Sequence, residues 1–219
     1  MKKAVVLKSV RHAMKKQFSS MEGSHDWDHI ERVVRMARYL ARHEGADLFI
    51  VELGALLHDI ADWKFHNGDT SIGPRKAREL LEGLGVSNDT IQSVEEIVAH
   101  ISYRGGTNTY QMKSIEGKVV QDADRLDAIG AIGIARVFAF GGSLGRSLHS
   151  STIRGKTWKS FSAYQNRTQT SIAHFYEKLL LLKDKMNTKT GKKLARQRHR
   201  HLEQFLKTFL AEWNGSDLR

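Results

Sequence analysis

The 219-residue chain contains no cysteine and a single proline. Without cysteine it can form neither a disulfide framework nor a thiolate metal site, and it has no cysteine nucleophile. Any metal ion must therefore be held by histidine, aspartate and glutamate side chains. No run of apolar residues approaches the roughly 20 that a membrane span requires, and the apolar run after Lys3 is too short for a secretion signal. We expect a cytoplasmic protein.

The charge balance is strongly basic, with a net charge of +11 and a pI near 9.9. Such a balance suits anionic partners such as nucleotides or nucleic acid. Two interpretations stay open: two solvated helix faces with long basic side chains, or a nucleic-acid-binding surface. No recognised nucleic-acid motif accompanies the charge. The basic residues are concentrated near both ends of the chain: Lys2, Lys3, Lys8, Arg11, Lys15, Lys16, Lys183, Lys185, Lys189, Lys192, Lys193, Arg196, Arg198 and Arg200.

Apolar residues recur with a helical period through most of the chain, and β-branched alternation is scarce. This pattern predicts an all-α helical bundle that forms one domain over residues 1–219. Residues 141–160 interrupt it with a Gly/Ser/basic segment, which is either a lid over an anionic ligand or a disordered loop. Helices are predicted over residues 2–18, 27–44 and 47–62, twice between Pro74 and Ile101, and over 113–128, 129–140, 161–186 and 189–214.

The central predicted helix, 47–62, carries an adjacent histidine–aspartate pair in apolar surroundings. A helix that is apolar nearly all round is a buried helix, and an unpaired polar group inside it costs a few kcal/mol. A cation held by both His58 and Asp59 would offset that cost. The alternative is a helix end at which the pair merely faces solvent.

Three segments contribute side chains of the kind that bind metal ions. The first contains His25 and His29, on a helix that Ser24 or Asp26 is predicted to cap. The second is the His58–Asp59 pair. The third, Gln121–Asp127, has three aspartates within six residues between apolar neighbours.

The order and spacing of these segments resemble the HD-domain metal-dependent phosphohydrolases. The resemblance lies in Asp28-His29-Ile30-Glu31-Arg32-Val33, Leu56-Leu57-His58-Asp59-Ile60 and Gln121-Asp122-Ala123-Asp124-Arg125-Leu126. Longer pieces are similar to a narrower branch, the predicted bacterial HD-superfamily hydrolases of about this length. These pieces are residues 58–65, 119–142 and 183–188. The resemblance implies a metal-binding HD core over about 20–142, with C-terminal helices over about 161–214 packing on it. The 146–160 loop departs most from that branch.

The resemblance also implies a metal site. Two imidazoles and two carboxylates suit Mn²⁺, Mg²⁺, Fe²⁺, Ni²⁺ or Zn²⁺ and leave the choice among them open. Asp124 is preferred over its neighbours because it occupies the family's Ala-Asp-Arg position. Asp122 is alternatively a capping carboxylate, and Asp127 a hydrogen-bonding or salt-bridging helix residue. The implied metal ligands are His29, His58, Asp59 and Asp124.

The resemblance extends to catalytic and substrate-binding candidates. Asp62 is placed to orient or deprotonate the attacking water, although it is alternatively a helix C-terminal carboxylate bound to Lys64. Lys64 and Arg125 are candidates for stabilising charge on a phosphate. His100 and Arg104 are candidate substrate contacts, with a core histidine and a solvated loop arginine as the alternatives.

The function that the resemblance implies is divalent-metal-dependent hydrolysis of a nucleotide or related phosphate ester. Nucleoside triphosphate pyrophosphohydrolysis is its more specific form. Two competing hypotheses stay open: a basic nucleic-acid-binding protein and a nucleotide sensor, each with a non-catalytic HD metal site.

Overall fold

The computed structural model describes residues 2–18, 26–61, 69–103, 105–107, 110–152, 158–165 and 170–218. Within these ranges the chain is helical and contains no strand, which confirms the all-α prediction. The α-helices are α1 Lys3–Phe18, α2 Trp27–Glu44, α3 Leu48–Leu57, α4 Ile72–Gly83, α5 Asn88–His100, α6 Ile115–Asp127, α7 Gly130–Ser143, α8 Phe161–Gln165, α9 Ser171–Glu177 and α10 Lys189–Trp213. Two 3₁₀-helices cover Leu179–Lys185 and Ser216–Leu218.

The described residues fall into two compact units. The first unit takes the described parts of 1–103, 109–124 and 187–190. The second takes those of 104–108, 125–186 and 191–219. That the whole chain is one domain stays a prediction.

No single helix in the described ranges is long and apolar enough to cross a membrane. When the helices Ile115–Asp127 and Gly130–Ser143 are taken together as a bent pair, they are long and apolar enough, by length and composition only.

The core of the first unit is built around α3. This helix is apolar nearly all round, with Glu52 as its one charged residue, and it packs against α1, α2 and α5. Gly54 lets α3 approach α5 closely, because a Cβ at this position would lie only 3.0 Å from the Ile97 side chain of α5. On α2, one apolar stripe is fully buried: Ile30, Val33, Val34, Ala37, Leu40 and Ala41.

The two ends of α2 follow local chemistry that the sequence predicts. Asp26 caps the first turn, with its side chain accepting from the backbone N–H of His29. Gly45 ends the helix in the left-handed conformation, with φ of 72°, which glycine adopts at little cost. The bounds agree with the predicted 27–44.

The helix α3 ends at Leu57, so the prediction of helix as far as residue 62 is wrong over the described residues up to Ala61. The side chain of His58 is the physical reason. Its Nδ1 bonds the carbonyl of Ala55, and Ile60 N–H turns back to the carbonyl of Leu57 in a tighter turn. The apolar pattern through Ile60 therefore reports burial rather than helix.

The second unit corrects the predicted helix 161–186. Its described residues form α8, then α9, then the 3₁₀-helix Leu179–Lys185. Thr170 starts α9 by accepting from the N–H of Ala173 at 3.1 Å, and Lys178, with φ of −140°, ends it. The apolar period survives these breaks because each piece still buries one face, such as Phe175, which stacks on Phe205 at 5.6 Å between ring centroids.

The segment 141–160 is partly helical, since α7 extends to Ser143. Residues 144–152 and 158–160 are turns and bends. Residues 153–157 lie outside the described part of the chain. The choice between a lid and a disordered loop therefore stays open.

Candidate metal centre

His29 enters the site from the first turn of α2. It is the third residue of the helix, and the Asp26 carboxylate holds its backbone N–H at 2.8 Å. The residue is 1% exposed. The cap fixes the backbone from which this buried imidazole projects.

His58 lies at the end of α3 and is held in one tautomer. Its Nδ1 is 2.9 Å from the carbonyl oxygen of Ala55. A carbonyl only accepts, so Nδ1 carries the proton, and Nε2 of the neutral ring is left with a lone pair. That Nε2 lies 3.2 Å from Nε2 of His29, with the two rings edge to face. A histidine oriented in this way by a backbone carbonyl is ready to bind a metal ion.

Two carboxylates complete the cluster, and both lie in the first unit with the histidines. Asp59 Oδ2 is 3.6 Å from His29 Nε2 and 3.5 Å from His58 Nε2. Asp124 Oδ1, from α6, is 3.6 and 3.8 Å from the same two atoms. The Asp59 side chain is 11% exposed and that of Asp124 28%, against 1% for each imidazole. The cluster therefore opens on the Asp124 side.

His29, His58 and Asp59 are arranged so that they could hold a metal ion, and Asp124 faces the same two imidazoles. Ligands about 2.0–2.2 Å from an ion lie roughly 2.8–3.6 Å from one another for angles between a right angle and the tetrahedral value. Four of the five separations between these atoms are 3.2–3.6 Å and lie in that range, and the fifth, between His58 and Asp124, is slightly longer at 3.8 Å. Ligand atoms of His29, His58 and Asp59 all lie within 4.8 Å of one another. Two nitrogen and two oxygen donors suit several divalent transition metals and do not select one.

Asp122, two residues before Asp124, has a different environment. It is fully buried, and its two oxygens accept four hydrogen bonds of 2.8–2.9 Å from the N–H and side-chain groups of Asn187 and Thr188. These residues lie just before α10 and belong to the first unit. The geometry agrees with the capping alternative for Asp122.

Sequence reasoning left out the partners of that carboxylate. Asn187 also donates to the side-chain oxygen of Gln121 at 3.0 Å, and Gln121 donates to the carbonyl of His100 at 3.2 Å. The contacts of Asn187 and Thr188 span 65–66 residues of sequence. No local pattern reports such pairs. The only signal was the similarity of the segment 183–188 to the family branch.

The acidic and basic residues that follow Asp124 lie in the second unit. The buried carboxylate of Asp127 forms an ion pair with the partly buried Arg136 at 2.8 Å, in agreement with the salt-bridging alternative. The guanidinium of Arg125 donates to the main-chain carbonyl of Lys185. This catalytic candidate therefore holds the end of the 3₁₀-helix Leu179–Lys185.

His100, a substrate-binding candidate, is the last residue of α5. Its ring stacks on that of Tyr110 at 3.6 Å, and the hydroxyl of Tyr110 donates to Glu96. This hydrogen bond to Glu96 raises the pKa of Tyr110. The other candidates, Asp62, Lys64 and Arg104, lie outside the described residues, as does His25.

Known proteins share this arrangement of sequence and fold. The sequence model of the HD domain matches residues 26–129, which include both histidines and both carboxylates of the cluster. YpgQ of Bacillus subtilis is 37% identical over 218 residues, covering 99% of this chain and 98% of YpgQ. The crystal structure of YpgQ in complex with ADP has a TM-score of 0.70, with 94% of this chain and 96% of that chain covered at 34% identity.

Two further crystal structures are similar over nearly the whole length. A protein from Lactobacillus plantarum has a TM-score of 0.86 at 36% identity, with 95% of this chain and 97% of that chain covered. An HD-superfamily hydrolase from Bacillus thuringiensis has a TM-score of 0.74 at 42% identity, with 97% and 98% covered. The likeness is therefore not confined to the helices that carry the cluster.

Proposed function

The chain belongs to the HD-domain superfamily, and on that premise we propose that it is a divalent-metal-dependent phosphohydrolase that acts on a nucleotide or related phosphate ester. The observation that carries the proposal is that two carboxylates, Asp59 and Asp124, each lie 3.5–3.8 Å from two imidazole nitrogens that are 3.2 Å apart. The HD-superfamily hydrolase fold supports metal-dependent phosphohydrolysis in general. The ADP bound to YpgQ supports a nucleotide as the ligand.

In this proposal His29, His58, Asp59 and Asp124 hold the metal ion. A bound divalent ion polarises phosphoryl oxygens and makes a water more acidic. The chain supplies the orientation: Ala55 fixes the tautomer of His58, and Asp26 fixes the turn that carries His29. The partial exposure of Asp124 indicates the side from which a phosphate reaches the cluster.

The remaining roles follow the family resemblance. Asp62 accepts a proton from the attacking water. Lys64 and Arg125 stabilise negative charge that develops on the phosphate, and His100 and Arg104 contact its oxygens. For Arg125 this role has a condition, because its guanidinium already donates to the carbonyl of Lys185. It must either contact the phosphate while keeping that hydrogen bond or release the carbonyl to do so.

The more specific form of the proposal is nucleoside triphosphate pyrophosphohydrolysis. The water oxygen bonds to the α-phosphorus, and the bond between the α-phosphorus and the oxygen that bridges to the β-phosphate breaks. Pyrophosphate leaves with that oxygen and the electron pair. Simple phosphate release from a monophosphate is the alternative reaction of the same site. The two differ in which product appears.

The experiment is turnover of a nucleotide panel by the purified protein with added Mn²⁺, with phosphate and pyrophosphate separated. We expect hydrolysis of at least one nucleotide, and pyrophosphate as the product if the more specific form holds. Metal-loaded protein that hydrolyses none of them would contradict the enzyme proposal. Tight binding of a nucleotide without any product would favour the nucleotide sensor instead.

A further inference from the structure

A second candidate site lies within the second unit, in a cleft between the 3₁₀-helix Leu179–Lys185 and the first half of α10. Its volume is about 630 Å³, within the range of roughly 300–1,000 Å³ that small-molecule sites occupy. Two acidic side chains, Asp184 and Glu203, line it together with five cationic ones, which leaves a net charge of +3 when His199 is neutral. The five cations of this basic cleft are Lys183, Lys192, Lys193, Arg196 and Arg200.

The cations on α10 are crowded by the helix itself. Residues three or four apart lie on the same face, so Arg196 is flanked by Lys192 one turn before it and by Arg200 one turn after it. Like charges at this spacing destabilise a helix. Within the described part of the chain, no carboxylate pairs with Lys192, Lys193, Arg196 or Arg200. A bound anion would relieve their repulsion.

A buried histidine connects the two walls of the basic cleft. His199 lies on the buried stripe of α10 between Ala195 and Leu202, and it is 6% exposed. Its Nε2 is 3.4 Å from Nζ of Lys183, on the opposite wall, and 3.2 Å from Oε1 of Glu203. Lys183 is therefore held against the cleft instead of extending freely into solvent, so the lining is more than a row of surface cations.

We propose that the basic cleft binds an oligophosphate, meaning a linear chain of two or three phosphate groups. Arginine binds phosphate oxygens in a bidentate fork, and lysine supplies a point charge. Both kinds of donor lie along the cleft, and its net positive charge complements such a chain. The cleft shares no residue with the metal cluster, so this proposal does not rest on the proposed hydrolase activity.

The lining favours the phosphate chain over other anionic ligands. Among the residues that the structure describes, no phenylalanine, tyrosine or tryptophan lines the basic cleft, and the imidazole of His199 is 6% exposed. The cleft therefore lacks an exposed aromatic ring on which the bases of a single strand would stack. Its concave shape and limited volume suit a compact anion better than the extended backbone of a duplex. The bound phosphate groups belong either to a free oligophosphate or to the phosphate tail of a nucleotide, and affinity measurements separate these two sources.

The test is isothermal titration calorimetry of chelator-stripped protein in metal-free, low-salt buffer. The titrants are pyrophosphate, tripolyphosphate, ATP and a short RNA duplex. The cleft variant Lys192→Gln/Arg196→Gln/Arg200→Gln is compared with a control, Lys159→Gln/Lys185→Gln/Lys207→Gln. All six residues are exposed, all lie in the second unit, and both variants lose three positive charges. Circular dichroism checks that each variant folds.

We expect tripolyphosphate to bind wild type and control alike, and to bind the cleft variant about tenfold more weakly or worse, because each lost charge-assisted bond costs affinity of that order. Equal affinity for ATP and tripolyphosphate would identify the phosphate chain as the recognised part. An Asp59→Ala variant should bind as wild type does, which separates this site from the metal cluster. Equal weakening in both triple variants, binding of the duplex alone, or no binding to wild type would each overturn the proposal.

Discussion

Asp122 and Asp124 are two residues apart on α6, and their surroundings are opposite in kind. The buried carboxylate of Asp122 accepts four hydrogen bonds from the backbone and side chains of Asn187 and Thr188. Asp124 instead faces two imidazoles whose nitrogens also face Asp59. Hydrogen-bond donors surround the first carboxylate, whereas the second faces two imidazoles that also face another carboxylate.

This difference separates a structural carboxylate from a ligand. A buried carboxylate that is saturated by donors is stable without any further group. A cluster in which lone pairs of His58 and carboxylate oxygens point at one another needs a cation, either a proton or a metal ion, to be stable. We therefore expect substitutions in the metal cluster to lower metal affinity and a substitution of Asp122 to lower stability.

The largest effect is expected at the metal cluster. Asp59→Ala should reduce the affinity for Mn²⁺ by more than about a hundredfold, since loss of even an outer partner of a metal ligand costs about 10–100-fold. Hydrolase activity should fall with it. The helical circular-dichroism spectrum of the metal-free protein should persist. Metal titration and circular dichroism measure the two effects.

The matched control is Asp89→Ala, which removes an exposed carboxylate from the first turn of α5. It should leave the metal affinity unchanged. An Asp59→Ala protein that binds Mn²⁺ as tightly as wild type would remove Asp59 from the ligand set.

Asp122→Ala should show the opposite behaviour. Removing the acceptor leaves buried N–H and O–H groups unsatisfied, and we expect the free energy of unfolding to fall by about 2–4 kcal/mol. Urea unfolding measures this as a lower midpoint with an unchanged slope. The folded variant should keep its affinity for Mn²⁺. Asp122→Asn, which retains one carbonyl acceptor, should lose less stability; equal stability of all three proteins would contradict the structural role.

Metal removal tests both carboxylates together. A metal ion present at about one hundred times its dissociation constant stabilises the folded state by about 2.7 kcal/mol. Chelation should therefore lower the melting temperature of wild type and of Asp122→Ala by similar amounts. It should leave Asp59→Ala unaffected. A wild-type melting temperature that changes neither with added metal nor with chelator would contradict the assignment of the cluster as a metal site.

The smallest effect is expected at Glu44, which holds the same part of the chain as Asp122 from a more exposed position. Its carboxylate accepts from the N–H of Thr190 at 2.7 Å, and hydrogen bonding to Thr190 lowers the pKa of Glu44. A pKa that is lower in the folded state stabilises the protein above the ordinary value, and this contribution is lost as the pH falls through the folded value.

Glu44→Gln should therefore remove part of the acid sensitivity of unfolding below about pH 4.5, with a change under about 1 kcal/mol at neutral pH. Urea midpoints measured between neutral and acidic pH check this. A variant whose acid sensitivity equals that of wild type would show that Glu44 contributes nothing through this bond.

Local signals predicted the features that local chemistry controls. The bounds of α2 agree with the predicted 27–44 and follow from Asp26 at its start and Gly45 after its end. The four residues that the family pattern groups as ligands do lie together in the structure. That they bind a metal ion remains a prediction, because only metal-binding measurements test it.

Features that depend on distant contacts were not predictable in this way. The role of Asp122 depends on Asn187 and Thr188, which lie 65–66 residues away. The end of α3 depends on a side chain, His58, that bonds the carbonyl which would otherwise continue the helix. The predicted helix 161–186 failed because apolar period reports a buried face and does not report where Thr170 starts a new helix.

The most direct test of the metal centre is electron spin echo spectroscopy of the Mn²⁺-loaded protein. Coordination by His29 and His58 predicts modulation from two imidazole nitrogens bound to the ion. In His58→Gln the modulation should fall to that of one nitrogen. A Mn²⁺ signal without nitrogen modulation in the wild-type protein would contradict the assignment of these histidines as ligands.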